Sequence, residues 1–204
     1  MQKKLSLSAA LTIVVLALAP WASEPVYSQR KASGVAGASR VAHTSTQGPT
    51  DSPREPATSS DEAADLSHRR IREIASLEQQ CLDEVNRVRR ARRLARLDFY
   101  DELLPVAREY SRRMAEERFF SHTDPDGRTV RERVDGADIK WRMVGENLAY
   151  SNGYINPVAA SLHSWMESPG HRRNILEPDY NLTAIGAWIS PDGTVYFTEI
   201  FIKQ

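Results

Sequence analysis

The chain has 204 residues, in which 27 Lys and Arg balance 27 Asp and Glu, so the formal net charge is zero. This balance excludes a global electrostatic attraction to polyanions, and any charge argument has to be local. Cys81 is the only cysteine, which excludes an intrachain disulfide and leaves a hydrophobic core to stabilise the fold.

The N-terminus has the order of a secretory signal. Lys3 and Lys4 precede an apolar run at residues 5–19, which is shorter than the roughly 20 residues of a transmembrane helix. We therefore predict a signal peptide over residues 1–28, cut after Ser28 or else after Ala22, and a secreted or periplasmic protein. An uncleaved signal that anchors the protein in a membrane is the alternative.

Residues 29–65 have a different composition from the rest of the chain. They are mainly Ser, Thr, Ala, Gly, Pro and charged residues. Such a segment cannot bury enough apolar surface to offset the entropy lost on ordering. We predict a disordered linker at residues 29–65 and one folded domain at residues 66–204.

The first part of this domain is predicted to be helical. Apolar residues recur at three- and four-residue steps from Leu66 to about Arg93, and a second apolar stripe runs from Asp101 to Glu117. Pro105 falls in the first turn of the second helix, where proline is tolerated. The turn residues between 120 and 140 predict an ordered loop.

A third helix is predicted from Asn156 to Glu167, with Asn156 as its cap and Pro157 at its first position. Ser168-Pro169 repeats this pattern, which predicts a short further helix that carries His171. Residues 184–189 and 194–202 are rich in β-branched and aromatic side chains and flank a Ser-Pro-Asp-Gly turn, which predicts a β-hairpin. Helices followed by strands predict an α+β layered domain.

Four segments stand out together in the domain. They are FFSHTDPDGRT at 119–129, GENLAY at 145–150, SWMESPGHRRNIL at 164–176 and YFTEIF at 196–201. In this order and spacing they resemble the bacterial, disulfide-free branch of the CAP superfamily, which includes the cysteine-rich secretory, antigen 5 and pathogenesis-related proteins. The resemblance implies a three-layer α-β-α sandwich, also called an SCP domain.

The resemblance also implies a cleft formed by two histidines and two glutamates. His122 and His171 match the histidines, Glu146 matches the glutamate of the Gly-Glu-Asn motif, and Glu167 matches the glutamate at a helix end. Many bacterial relatives have asparagine at the last of these positions, so this chain has the fuller tetrad. It lacks the disulfides and the longer histidine-containing strand motif of the eukaryotic branch.

Two interpretations of this cleft are open. Neutral imidazoles bind zinc and similar divalent metals well, so His122 and His171 are candidate metal ligands of a weak, exchangeable site. Zinc would then compete with protons for two imidazoles whose unperturbed pKa is about 6.5, and its affinity is expected to fall steeply between about pH 7.5 and 5.5. Alternatively, the histidines only hydrogen-bond the glutamates, and Gly145-Glu146-Asn147 is a turn.

Other marked residues have alternative roles. Cys81 lies on the apolar face of the first helix, which favours an inert buried thiol over a nucleophile. Asn174 and Arg172 shape the cleft floor or have surface roles. The tryptophans expected in the core or the cleft wall are Trp141, Trp165 and Trp188.

A run of arginines lies near the end of the first helix, and it consists of Arg87, Arg89, Arg90, Arg92, Arg93 and Arg96. Cations are favoured at this end by the helix dipole, so a solvated face is one interpretation. Binding of an anionic envelope polymer or a lipid head group is the other. Nucleic acid is not expected, because no aromatic residues interrupt the run.

Three functions fit these observations. The chain can be a secreted binding module whose cleft holds a divalent metal, a lipid or another envelope component. It can be a hydrolase in which the histidines activate water against a peptide or peptidoglycan bond. It can also be an extracellular scaffold. The catalytic residues of the hydrolase are unassigned, with His122, Glu146, Glu167 and His171 as candidates.

Overall fold

The computed structural model describes residues 59–204. The predicted signal peptide at residues 1–28 and residues 29–58 of the predicted linker lie outside the described residues. Helix α1 spans Ser59–Ala91, so residues 59–65 of the predicted linker lie in this helix. Asp61 and Glu62 lie in its first turn, where the helix dipole favours negative charge. Residues 61–73 are exposed, and Ile74 is the first buried residue.

The remaining helices are α2 at Leu103–Glu116, α3 at Val130–Asp135, α4 at Pro157–Glu167 and α5 at Pro169–Leu176. The predicted helices α2, α4 and α5 are confirmed. Among the described residues, no helix is both long and apolar enough to cross a membrane.

Helix α3 lies where the turn residues predicted a loop, so that prediction is wrong for these residues. Thr129 and Glu132 form a capping box at the start of the helix, in which the Glu132 carboxylate accepts the Thr129 amide hydrogen at 2.8 Å. This reciprocal cap satisfies amide groups that a short helix leaves free. The capping box stabilises a helix that is too short to show a helical periodicity of apolar residues in the sequence.

Four strands form one mixed sheet in the order β1-β3-β4-β2. Their bounds are Asp98–Phe99, Met143–Ser151, Leu182–Ile189 and Val195–Lys203 for β1 to β4. The predicted hairpin is confirmed, since β3 and β4 are antiparallel. Strand β2 pairs antiparallel with β4 and contains Gly145-Glu146-Asn147, so the alternative turn at this motif is wrong.

Helices cover both faces of the sheet, which confirms the α-β-α sandwich. On one face α2 and α3 pack on β3 and β4 through a cluster that includes Leu103, Val134 and Ile200. The larger cluster on the other face joins α1, α4 and α5 to the sheet. Helix α2 approaches β3 closely because Gly186 has no Cβ, which would otherwise overlap the α2 backbone at Ala107 and Arg108.

A buried arginine ties α1 to α5. Arg89 donates from Nε to the Ala95 carbonyl and from Nη1 to the carbonyls of Ile175 and Glu177, each at 2.8 Å. The Ile175 and Glu177 carbonyls lie at the C-terminal end of α5, where a cation is favourable. Arg89 is therefore part of the core and helps to position α5. Cys81 is also buried, and burial raises the pKa of its thiol well above the usual range, as expected for an inert side chain.

Candidate functional site

Three of the four predicted cleft residues lie together beside strand β2. His122 comes from the loop before α3, Glu146 from β2 and His171 from the first half of α5. The ring centroids of His122 and His171 are 6.0 Å apart. The fold therefore brings the two imidazoles together from segments that are far apart in sequence.

Glu146 orients His122. Its Oε2 is 2.8 Å from His122 Nδ1, with the Glu146 side chain 2% and the His122 side chain 42% exposed. When neutral His122 donates its proton from Nδ1 to this carboxylate, Nε2 is left with a free lone pair. A carboxylate that fixes an imidazole in this way is the usual outer partner of a metal-binding histidine.

Arg133 of α3 binds the other oxygen of the same carboxylate, and the sequence pattern did not single it out. Its guanidinium forms an ion pair with Glu146 Oε1. It also lies 3.3 Å from the centroid of the Tyr110 ring and donates to the Arg128 carbonyl at 3.0 Å. Both oxygens of Glu146 are therefore occupied. The capping box of α3 was the one signal in the sequence that could have placed a helix here.

His171 is a neutral imidazole. Burial, followed by the nearby His122, lowers the pKa of His171 to about 4. Its Nδ1 is buried and has no hydrogen-bond partner among residues 59–204. A buried polar nitrogen without a partner carries a desolvation cost, which a bound ligand would relieve.

Two asparagines attach α5 to strand β2. Asn174 Nδ2 donates to the Glu146 carbonyl and to Asn147 Oδ1, both at 3.0 Å, and Asn147 Nδ2 donates to the His171 carbonyl at 3.1 Å. Gly145 permits this contact, because a Cβ there would overlap the Tyr180 hydroxyl and crowd Asn174. The Gly-Glu-Asn motif thus holds α5 against the sheet, and Asn174 is part of the cleft floor.

The loop that carries His122 is braced by a buried aspartate. Asp124 Oδ2 accepts from Arg113 Nη1 at 2.8 Å and from Arg128 Nε at 3.0 Å, and Oδ1 accepts from the Asp126 and Arg128 amides. Burial opposes its charge, but these donors and the two arginine charges hold the pKa of Asp124 below its usual value. These four hydrogen bonds fix the loop that positions His122.

Among residues 59–204, the remaining predicted residues form no hydrogen bond or ring contact with the two imidazoles. Glu167 is exposed at the end of α4, and its carboxylate makes no hydrogen bond or ion pair with residues 59–204, so its place in the site stays a prediction. Arg172 is also exposed. Trp165 is buried and donates to the Leu148 carbonyl at 2.8 Å, as expected for a core residue, while Trp141 and Trp188 are half-buried.

An aromatic strip borders the cleft. Tyr150, on the same face of β2 as Glu146, lies 4.9 Å from Phe120 and 5.9 Å from Tyr196 between ring centroids. Tyr150 and Phe120 are 58% and 46% exposed. Phe120 lies two residues before His122, so these rings lie beside the loop that carries this histidine.

The candidate donor set for a metal ion is limited to the two histidines among residues 59–204. Within the described part of the chain, no group of three or more His, Cys, Asp or Glu side chains is placed to hold an ion. The two imidazoles remain, one of them with a buried nitrogen that lacks a partner. Two protein ligands with open positions are typical of a weak, exchangeable site.

The three-layer sandwich and the paired histidines define a small α-β-α domain with a polar cleft. The family model of the CAP domain, described as the cysteine-rich secretory protein family, matches residues 82–201. The match covers more than half of the chain, so the chain belongs to the CAP family.

Two curated relatives come from Bacillus subtilis. The membrane protein YlbC is 32% identical over 127 residues, which cover 62% of this chain and 34% of YlbC. The protein YkwD is 29% identical over 131 residues, covering 64% of this chain and 49% of YkwD. The chain thus spans about a third to a half of the length of these relatives.

Solved structures share the fold. An extracellular SCP-domain protein from Bacillus anthracis aligns with a TM-score of 0.59 and 24% identity over 74% of this chain and 45% of its own. An outer surface protein from Borrelia burgdorferi aligns with a TM-score of 0.58 and 23% identity over 63% of this chain and 93% of its own. At this identity the likeness establishes the fold alone.

Proposed function

We propose that this CAP domain is an exported binding module that holds a divalent metal ion, zinc in the first place, between His122 and His171. The observation that carries the proposal is the pair of imidazole rings with centroids 6.0 Å apart, one of them oriented by Glu146. Open positions on the metal and the adjacent aromatic strip would accept a small envelope or lipid ligand.

The chemistry of the two histidines supports metal binding. Zinc binds neutral imidazole at about 2.0–2.1 Å, and His171 is neutral above its pKa of about 4. Glu146 accepts from Nδ1 of His122 and so leaves Nε2 of that ring for the metal. A bound zinc ion would supply a Lewis acid that attracts an oxygen of the ligand. The protein would hold and orient both rings.

Hydrolysis is less well supported than binding. A glutamate that acts as general base needs a free oxygen within reach of water. Both oxygens of Glu146 are bound, one to His122 and one to Arg133. The charged partner also opposes direct metal coordination by Glu146. The histidine pair is therefore better suited to bind than to transfer protons.

Export is supported by two observations. Residues 1–28 have the order of a secretory signal. A CAP relative is described as a membrane protein, and structures with this fold come from an extracellular and an outer surface protein. Alternatively, the signal is not cleaved, and its apolar run anchors the exported domain to a membrane.

Calorimetric titration of zinc into the full chain at pH 7.5 tests the proposal. We expect saturable binding to the wild type and loss of binding in His171→Ala, because one imidazole and water make a poor site. His163→Ala is the matched control, since His163 is exposed on α4 outside the cleft. Absence of zinc binding to the wild type, or equal binding by His171→Ala, would contradict the proposal. The histidines would then serve only as a structural hydrogen-bond network, and the domain would be a scaffold.

A second assay separates binding from hydrolysis. We expect no product from casein or from purified peptidoglycan incubated with the zinc-loaded chain. Release of product that disappears in Glu146→Gln would replace the binding module with a hydrolase.

A further inference from the structure

The arginines at the end of α1 divide into two groups. Arg89 is buried and bound by backbone carbonyls, and Arg87 Nε pairs with Glu84 Oε2 at 2.9 Å. The other four are exposed, and their side chains form no hydrogen bond or ion pair with residues 59–204. We call these four the basic turn: Arg90, Arg92, Arg93 and Arg96.

The backbone of the basic turn is fixed by hydrogen bonds. The amides of Arg92 and Leu94 donate to the Arg89 carbonyl at 2.9 and 3.1 Å, and Arg89 Nε donates to the Ala95 carbonyl. Asn86 exchanges two hydrogen bonds with Leu97, of 3.0 and 2.8 Å. Two buried side chains thus hold a segment whose exposed charges are all cations, so its backbone needs no ordering when a ligand binds.

The charge of the basic turn exceeds what the helix requires. Cations are favoured in the last turn of a helix, and this explains Arg90. Helix α1 ends at Ala91, so the other three arginines lie beyond it. Residues 87–97 contain no Asp or Glu to offset them. Four like charges on a rigid turn repel one another, and a bound polyanion would relieve that repulsion.

We propose that the basic turn binds a linear phosphate-bearing polymer. Guanidinium groups match phosphate with two parallel hydrogen bonds, and a polymer with regular charges can contact several arginines at once. A membrane surface is less favoured, because segments that lie on membranes add exposed apolar anchors to their cations. Between Arg90 and Leu97 no large apolar side chain is exposed, since Leu94 is half-buried and Leu97 is buried.

This surface is separate from the histidine cleft. Arg89 links the start of the basic turn to the C-terminal end of α5, whereas His171 lies in the first half of that helix. The polymer would therefore contact the domain without contacting the two imidazoles. His171→Ala should leave polymer binding unchanged, so failure of the zinc proposal and failure of this one are distinguishable.

The test is titration of the full chain with inorganic polyphosphate at several NaCl concentrations. The variant is Arg90→Gln/Arg92→Gln/Arg96→Gln, which leaves Arg93 because its φ of 60° is unusual for a side-chain-bearing residue. The control is Arg69→Gln/Arg72→Gln/Arg142→Gln, which removes three exposed arginines elsewhere. Circular dichroism and thermal unfolding verify that both variants are folded.

We expect the basic-turn variant to lose at least about tenfold in affinity and to reduce the slope of log affinity against log salt by about one per contacting arginine removed. The control should bind like the wild type. Equal losses of affinity in both variants would show that binding depends on total charge and not on this surface, and would overturn the proposal. Binding of the wild type to phosphatidylglycerol vesicles but not to polyphosphate would also overturn it and assign the surface to a membrane.

Discussion

Arg133 and Glu146 form an ion pair in which the two side chains are 7% and 2% exposed, directly beneath His122. The guanidinium also covers the ring of Tyr110. A charge buried this deeply depends on its partner, because its own desolvation costs several kcal/mol. The Glu146 carboxylate, which orients the candidate metal ligand His122, is thus itself held in place by Arg133 of α3.

Arg133→Met removes the cation and leaves the Glu146 carboxylate buried. We expect a loss of about 3–5 kcal/mol in the free energy of unfolding, measured by urea denaturation. Arg133→Met/Glu146→Gln is the control, and it should recover part of this loss because the uncompensated charge is gone. A double variant that is as unstable as the sum of both single variants would show that the pairing contributes little.

Glu199 is a further buried carboxylate. It lies on β4, and neither of its oxygens has a hydrogen-bond partner among the described residues. Burial raises the pKa of Glu199 well above its usual range, although Arg89 opposes this. Between the ordinary and the raised pKa the folded protein binds more protons than the unfolded chain. The contribution of the Glu199 side chain to the free energy of unfolding is therefore fully present at low pH, and it is lost as the pH rises through the pKa of this group in the folded protein.

Glu199→Gln should flatten this pH dependence. In the wild type we expect stability to fall with rising pH by at most about 1.4 kcal/mol per pH unit, and the variant should be the more stable at pH 8. The measurement is chemical denaturation from pH 6.5 to 8.5, above the range in which His171 affects stability. Glu73→Gln, at an exposed position on α1, is the matched control and should follow the wild type.

Zinc binding should release fewer protons than two ordinary histidines would. Because the pKa of His171 is about 4, this ring is already neutral at pH 5.5 and does not compete with protons above it. We expect the affinity to fall by no more than about tenfold per pH unit between about pH 7.5 and 5.5. Calorimetry in buffers of different ionisation enthalpy counts the protons. Release of about two protons at pH 5.5 would show that His171 titrates like an ordinary histidine.

Limited proteolysis tests the boundary of the domain. Residues 29–65 are the predicted linker, of which residues 59–65 lie in α1, and residues 61–73 of that helix are exposed. Exposed polar segments are the usual sites of cleavage. We expect a resistant fragment that begins between residues 59 and 74, identified by mass spectrometry. A resistant fragment that begins near Gln29 would contradict the linker prediction.

The sequence predicted best the elements with a local signal. The N-cap Asn156 and the proline after it marked α4, and the Ser168-Pro169 pair marked α5. Strand β2 was missed because both of its faces are covered, so it has no polar–apolar alternation. Glu146 and Asn147 also resemble turn residues, and only their tertiary partners make a strand of them.

The site was predicted in the same uneven way. Motif resemblance named His122, Glu146 and His171, and the structure brings these three together. Arg133 has no motif of its own, since its role depends on α3 packing beside β2. The low pKa of His171 arises from burial. Neither the role of Arg133 nor the low pKa of His171 can be predicted from composition and spacing, because both result from contacts between distant segments.

The outer strands of the sheet have a consequence for self-association. Strand β2 is a long edge strand, but its outward carbonyls at Glu146 and Leu148 already accept hydrogen bonds from Asn174 and Trp165. The opposite edge is formed by the two residues of β1 and, beyond them, by β3, whose Ala187 amide donates to Glu78 Oε1 at 3.0 Å and whose Ile189 carbonyl accepts from Arg70. An unprotected edge invites another chain to add a strand, which is a common start of aggregation. Here side chains bind backbone groups of β2 and β3, so the domain resists this route at high concentration.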